Sequence, residues 1–201
     1  MTTRAQLRRQ MRAARRGLSE RERREAAERL AGNLARTDWF RNSRRIACYL
    51  ANDGELDPWP VMERAWAAGK TCYLPVLSPV TGNRLWFVDW RPGEPLAGNR
   101  FGIPEPVHAS WRLQPAWALD LVLTPLVAFD PLGNRLGMGG GYYDRTFAYL
   151  RRRRRWLKPR LVGMAYELQK VAALPHAGWD IPLEGIVTEA ECYAGGAPRA
   201  G

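Results

Sequence analysis

The residues with the densest chemical potential lie together at Arg135-Leu136-Gly137-Met138-Gly139-Gly140-Gly141-Tyr142-Tyr143-Asp144. Four glycines fall within five positions, after an apolar run and before a segment that reads as a helix start. Glycine lacks Cβ and accepts positive φ, so successive amides of such a loop can converge on an anion. A helix opening directly after the loop adds positive potential at the same place. Arg135 and Arg145 flank it as charge-assisted donors to phosphate oxygens. Asp144 suits Mg²⁺, which takes a carboxylate or two together with substrate phosphate oxygens. No Gly-Lys-Ser/Thr follows, so this is not a Walker A loop. The spacing Gly137-x-Gly139-x-Gly141 is not the dinucleotide fingerprint either, and no acid closes a strand about 20 residues on. A glycine-rich turn used only for tight packing is the alternative; the tyrosine pair and the aspartate favour phosphate handling.

The remaining reactive side chains are less telling. No Ser-His-Asp or Cys-His pairing is evident, and His108 and His176 lie in loops without metal-ligand spacing. Cys48, Cys72 and Cys192 are odd in number and lack a C-x-x-C spacing, which argues against a disulfide framework or a zinc knuckle. Cys48 and Cys72 sit in apolar runs and read as inert buried thiols. Trp90, Trp111, Trp117 and Trp179 read as packing residues. The net charge of +11 and the run Arg151-Arg152-Arg153-Arg154-Arg155 raise a nucleic-acid partner. No nucleic-acid-reading motif accompanies the run, and a solvated charged loop is its usual meaning. An anionic small substrate suits the charge equally well.

The elements that must position these residues can be read from the same chain. Its 201 residues are 46% hydrophobic and 25% charged, ordinary for one globular core. One domain is expected over residues 1–194, with a frayed tail at Gly195–Gly201. No run of ~18 apolar residues spans a membrane, and Met1-Thr2-Thr3-Arg4 leads into charge rather than an apolar h-region, so a cytoplasmic setting is expected. Residues 3–36 are rich in helix formers. Gly17 splits them into two helices, the second opened by a Ser19–Glu22 capping box and running to about Leu34. Glu20 with Arg24 and Glu25 with Arg29 stand at i,i+4. Strands are expected at Ile46–Leu50, Thr71–Val76, Leu85–Trp90, Leu119–Thr124, Arg160–Ala165 and Ile186–Thr188. Asn52-Asp53-Gly54 makes a turn, and a helix opened by Pro58 and Pro60 runs to about Ala68. Residues 91–118 read as a long ordered surface loop. Strands alternating with helices predict an α/β single-domain three-layer sandwich, its largely parallel or mixed central sheet flanked by helices.

The motifs, taken in order, resemble one known family. Asn134-Arg135-Leu136-Gly137 followed by Gly139-Gly140-Gly141-Tyr142-Tyr143-Asp144 is similar to the signature of the 5-formyltetrahydrofolate cyclo-ligases. Arg4-Ala5-Gln6-Leu7-Arg8 resembles their N-terminal Lys-x-x-Leu-Arg element, and Gly54-Glu55-Leu56-Asp57 their Glu-Leu-Asp turn. Phe101-Gly102-Ile103-Pro104-Glu105-Pro106 and Asp180–Glu189 resemble two further segments. The resemblance implies that Arg4, Arg8 and Arg135–Tyr143 (Leu136, Gly137, Met138, Gly139, Gly140, Gly141 and Tyr142 among them) hold ATP. It implies that Leu50, Glu55 and Met138–Tyr142 meet the formylfolate, that Arg135, Tyr143 and Asp144 are catalytic, and that Asp144 and Glu184 bind Mg²⁺. Its partners would be small molecules, 5-formyltetrahydrofolate and ATP, acting on a monomer with no obligatory nucleic acid and no membrane. Three departures stand out. Arg4 replaces the usual lysine, exchanging a point ammonium for a planar fork. Met138 and Gly140 replace residues that are basic in some members. Glu184 stands where some members have aspartate.

Overall fold

Local capping chemistry sets the first two helices of a computed structural model that describes residues 3–78, 83–152, 158–174 and 181–195. Helix α1 (Arg4–Arg16) opens on Thr3, whose hydroxyl accepts from Gln6 N while the Gln6 side chain accepts from Thr3 N. Helix α2 (Glu20–Ala35) opens on the Ser19–Glu22 capping box that the sequence predicts. The ion pair on its face is Arg21 with Glu25, at 2.9 Å, rather than the two pairs expected. Then follow α3 (Asp38–Arg41), β1 (Arg45–Ala47), α4 (Trp59–Ala67), β2 (Thr71–Leu77), β3 (Leu85–Asp89), β4 (Leu96–Gly98), β5 (Pro104–Pro106), β6 (Leu121–Pro125), β7 (Ala128–Phe129), β8 (Arg135–Leu136), α5 (Tyr142–Phe147), β9 (Arg160–Met164), β10 (Gly185–Val187) and β11 (Cys192–Ala194).

The central sheet runs β11-β10-β9-β6-β1-β2-β3. Its five inner strands are parallel, and β3 and β11 close the two edges antiparallel. Period-two alternation sends Leu121, Leu123, Val162 and Met164 to one face and Val122, Leu161 and Ile186 to the other. Helices α2 and α4 cover the first face, with Leu30 and Leu34 fully buried, each burial stabilising by about 1.5–3 kcal/mol. The second face is covered more thinly, by α5, the 3₁₀ turn at Ala148–Arg152 and the segment carrying Ile181 and Leu183. The architecture is the expected α/β sheet between helical layers. Gly185 shows how closely the first layer packs, because a Cβ there would lie 2.0 Å from the Trp39 ring.

Several expectations are refined. The surface loop at 91–118 contains the β4–β5 hairpin and two 3₁₀ turns, Ser110–Arg112 and Ala116–Ala118. Trp90 packs with Trp59 and Trp66 at 6.1 and 6.2 Å, whereas Trp111 and Trp117 are 80% and 60% exposed and do not pack as expected. Cys48 and Cys72 are buried as predicted. Among the described residues no helix is long and apolar enough to cross a membrane. The readings placed on Arg153–Arg155, His176, Trp179 and residues 196–201 fall outside the described residues.

Candidate active site

Strands β1 and β6 are neighbours, and the chain leaves them in opposite directions across the sheet, toward β2 on one side and β9 on the other. Ligand crevices in open α/β sheets form outside the carboxyl ends of the strands at such a switch point. Tyr49 and Leu50 leave β1 there, Pro125 ends β6 there, and all three line a cavity of about 860 Å³.

The glycine loop forms a second wall of that cavity and is held from both ends. Ahead of it, β7 and β8 pair antiparallel with Phe129 opposite Arg135. The turn between them closes on the buried Asp130 carboxylate, which accepts from Leu132 N, Asn134 N, Asn134 Nδ2 and Leu174 N. With its acceptors so occupied, Asp130 serves to fix the turn that delivers Arg135. Behind the loop, Gly141 caps α5 at φ +65°, and Gly139 has φ +102°. Side chains with a Cβ rarely adopt either conformation, which is the backbone freedom an anion cradle requires. Arg8 Nε donates to Gly137 O at 2.8 Å, and Arg145 donates to Gly140 O and, at 3.0 Å, to Asn83 O. Helix α5 has only six residues, so the positive potential comes mainly from Arg4, Arg8, Arg135 and Arg145, all lining the cavity.

Arg135 and Asp144 face each other directly. Nη2 lies 2.5 Å from Oδ1, with the side chains 6% and 24% exposed. Oδ1 also accepts from Ile181 N at 3.3 Å. Arg135 Nε is buried and has no hydrogen-bond partner among the described residues. An unsatisfied buried N–H costs free energy, and a phosphate oxygen is an acceptor that would relieve it. This orphan donor beside the glycine loop is the feature that fits a nucleotide phosphate.

Glu55 reaches the cavity from a tight turn with Asp53 at φ +54° and Gly54 at φ +73°. Its side chain is 12% exposed and its Oε1 lies 3.8 Å from Arg15. Burial pushes the Glu55 carboxyl above the usual range, against the opposing pull of Arg15 and of the Asn52 amide. Burial, seconded by the Glu55 charge, also raises the Tyr143 phenol, so Tyr143 stays protonated at neutral pH. Its ring stacks on Phe147 at 6.2 Å.

The structure adds a roof whose role the sequence leaves blank. Glu105 Oε2 accepts from Leu77 N and Asn99 Nδ2, both at 3.2 Å, and so ties the β4–β5 hairpin to β2. Arg100 Nη2 donates to Tyr142 OH at 2.8 Å, and Phe101 meets the Tyr142 ring edge-on at 5.9 Å. A glutamate between two prolines was the available signal for this anchor. The C-terminal motif is a clasp: Thr188 Oγ1 donates to Glu167 Oε2 at 2.7 Å, and Glu167 N donates to Glu189 Oε2 at 2.9 Å.

Arg4, Arg8, Leu50, Glu55, Arg135 and the run from Gly137 through Asp144 all line the cavity, whereas Leu136 is buried beside them. Glu184 does not join them. It immediately precedes β10, where the parallel strands begin, and its Oε2 lies 3.7 Å from Arg160 Nε. The glycine loop and Leu50 lie where those strands end, so Glu184 is not a partner for Asp144. Ile181 is the described part of that segment that touches Asp144; Asp180 lies outside the described residues. No group of three or more His, Cys, Asp or Glu is gathered among the described residues.

The chain is similar to known proteins over most of its length. The chain is 44% identical over 150 residues to the 5-formyltetrahydrofolate cyclo-ligase of Escherichia coli strain K12, covering 74% of this chain and 79% of that protein. It is 38% identical to the Haemophilus influenzae 5-formyltetrahydrofolate cyclo-ligase, covering 92% of this chain and 96% of that one. The solved structure of Aquifex aeolicus 5,10-methenyltetrahydrofolate synthetase superposes with a TM-score of 0.79 at 33% identity, over 98% of this chain and 95% of that one. Residues 1–189 match the sequence profile of the 5-formyltetrahydrofolate cyclo-ligase family, and the chain belongs to that family.

Proposed function

We propose that this protein converts 5-formyltetrahydrofolate and ATP into 5,10-methenyltetrahydrofolate, ADP and phosphate. The formyl oxygen is a poor leaving group. When it attacks the γ-phosphorus of ATP, the β–γ bridging bond breaks and ADP departs. Nitrogen-10 then adds to the formyl carbon and loses its proton, and the oxygen leaves as phosphate. The protein contributes positioning and electrostatic stabilisation rather than a covalent intermediate.

Arg4 and Arg8 of α1, Arg135 and the amides of Leu136–Tyr143 hold the nucleotide, with Arg135 Nε meeting a phosphate oxygen. Asp144 would hold Mg²⁺, which when bound neutralises phosphate charge. Leu50 and Glu55, with Met138–Tyr142, receive the folate. The Glu55 carboxylate accepts from pterin N–H groups and turns the formyl oxygen toward the phosphate. Tyr143, kept protonated by burial, donates rather than accepts at the reacting oxygens. The proposed setting is the cytoplasm, with the protein acting as a monomer.

The observation carrying this reading is that the glycine loop and the Glu55 turn wall one cavity, whose ≈ 860 Å³ lies at the upper end of ordinary ligand sites, about 300–1,000 Å³. The test is an absorbance assay with 5-formyltetrahydrofolate, Mg²⁺ and ATP. The methenyl chromophore should grow in with ATP and stay absent without it. ATP binding with no chromophore would overturn the substrate assignment, and absence of both would overturn the whole reading.

A further inference from the structure

Three arginines of α1 converge on one residue of the Glu55 turn. Arg12 Nε lies 2.6 Å from Asp53 Oδ2, Arg15 Nη2 lies 3.0 Å from the same oxygen, and Arg16 pairs with Oδ1. Arg15 also donates from Nε to Asp53 O at 2.9 Å. Its side chain is 0% exposed, and its Nη2 is 3.8 Å from Glu55 Oε1, beyond hydrogen-bond range. Arg15 Nη1 is buried with no hydrogen-bond partner among the described residues. The turn sits directly on the helix: a Cβ at Gly54 would lie 3.4 Å from Arg15 O. A fully buried guanidinium therefore stands between two carboxylates, bonded to one and held just short of the other.

We propose that Asp53 and Arg15 form a positioning pair for Glu55: Asp53 retains the Arg15 guanidinium, so that Arg15 lends Glu55 its charge without occupying the carboxylate oxygens that receive the substrate. Without the pull of Asp53, Arg15 would close the gap onto Glu55 and compete with the ligand. Without Arg15, the Glu55 carboxylate would lose its nearest cation in a buried place. This rests on the folate reading of Glu55 given above. The groups facing Glu55 are Arg12 and Arg15 from α1, Asp53 on its own turn, Tyr49 after β1, Tyr143 from α5 and Tyr166 after β9, whose hydroxyl donates to Glu55 O at 3.4 Å.

Asp53→Asn and Arg15→Met separate the two halves of the pair. Asparagine tolerates positive φ, so the first removes charge while keeping the turn, and it remains informative should Arg15→Met fail to fold. Wild type and both variants are assayed with 5-formyltetrahydrofolate, ATP and Mg²⁺ across pH, with the KM for each substrate and kcat measured separately. The KM for the folate should rise about tenfold in both variants, roughly the value of one charge-assisted contact, with little change in the KM for ATP. The acid limb of kcat/KM for the folate should move down in Asp53→Asn and up in Arg15→Met, by about one pH unit each. Limbs that stay in place, or move the same way, overturn the positioning pair while the wild-type activity stands. A wild type that makes no methenyl product overturns the folate reading, and the pair falls with it.

Discussion

Gly137 and Gly139 stand two residues apart in the same loop, yet the structure assigns them opposite sensitivities to alanine. A Cβ at either position finds room: its nearest neighbour is Arg135 Nη1 at 3.7 Å for Gly137 and the Arg8 guanidinium at 3.7 Å for Gly139. Only Gly139 has positive φ, at +102°. Holding a non-glycine residue there costs about 1–3 kcal/mol, while Gly137→Ala carries no such cost. Gly139 is exposed, so in the free protein an alanine loop can relax toward negative φ, and nucleotide binding must then restore the strained form. The strain divides between thermal stability and ATP affinity, and the two losses should sum to about 1–3 kcal/mol. If affinity carries most of it, the Kd for ATP rises roughly 5- to 150-fold. Calorimetric titration with ATP alongside thermal unfolding reads both parts. Gly137→Ala should leave both within a few tenths of a kcal/mol. Equal loss in the two variants would refute the reasoning, because it would mean that the loop needs bare backbone against the phosphate rather than a left-handed conformation.

Other substitutions test other parts of the site. Asp144→Asn keeps an oxygen for Arg135 and should leave the unfolding midpoint little changed, while Mg²⁺-dependent turnover falls by about 10²-fold or more; a variant with full turnover would remove Asp144 from the metal site. Glu184→Gln should leave the Mg²⁺ dependence of turnover unchanged, and a rise in the Mg²⁺ requirement would contradict its place at the far end of the sheet. Stability should respond to acid through two carboxyls of opposite sign. For Asp53, burial raises the carboxyl but the arginine hydrogen bonds outweigh it, and the net shift is downward; its stabilisation is present above the unfolded value of about 3.9 and is lost as pH falls through the lower folded value. The Glu55 carboxyl is raised, so stability recovers as pH falls from its folded value toward about 4.3. Denaturant titrations across pH should therefore show Asp53→Asn flattening the most acid limb and moving the Glu55 limb to lower pH. Finally, kcat/KM should fall between ~0.05 and ~0.5 M salt by more than kcat does, because the cavity arginines steer anionic substrates; a flat profile would deny them that role.

The parts of the fold legible in the sequence are those written in local chemistry. Both capping boxes need only residues three apart, one of them read correctly at Ser19 and Glu22. Strands β6 and β9 are apolar runs buried on both faces, and the glycine loop is a backbone requirement stated by residue type. Hairpins β4–β5 and β7–β8 were not legible, since strands of two or three residues carry no periodicity and their anchors lie far along the chain, Leu77 N donating to Glu105 of β5 and Leu174 N to Asp130 of the β7–β8 turn. The Glu184 expectation came from the resemblance alone, and the structure sets Glu184 beside Arg160 at the start of the parallel strands rather than along the cavity. Arg15 was the most deceptive. In sequence it belongs to a basic, solvated helix, whereas the fold buries it completely against the Glu55 turn.

The same burial changes the meaning of the net charge of +11. Arg12, Arg15 and Arg16 are committed to one aspartate, and Arg64, Arg112, Lys158, Arg160 and Lys170 each lie against a carboxylate. Surface pairs of this kind add little stability, yet they cancel the field that a polyanion would feel along those faces. The cationic groups at the site are arranged differently. Arg4, Arg8, Arg135, Arg145 and Arg151 all border the cavity, where apolar walls concentrate their field. Two of them hold glycine-loop carbonyls, Arg8 on Gly137 and Arg145 on Gly140, which fixes the loop's carbonyls to protein cations and frees its amides to face a ligand. An anion small enough to enter the cavity meets these five arginines together, whereas the exposed arginines of the helices face bulk water, where salt screens them.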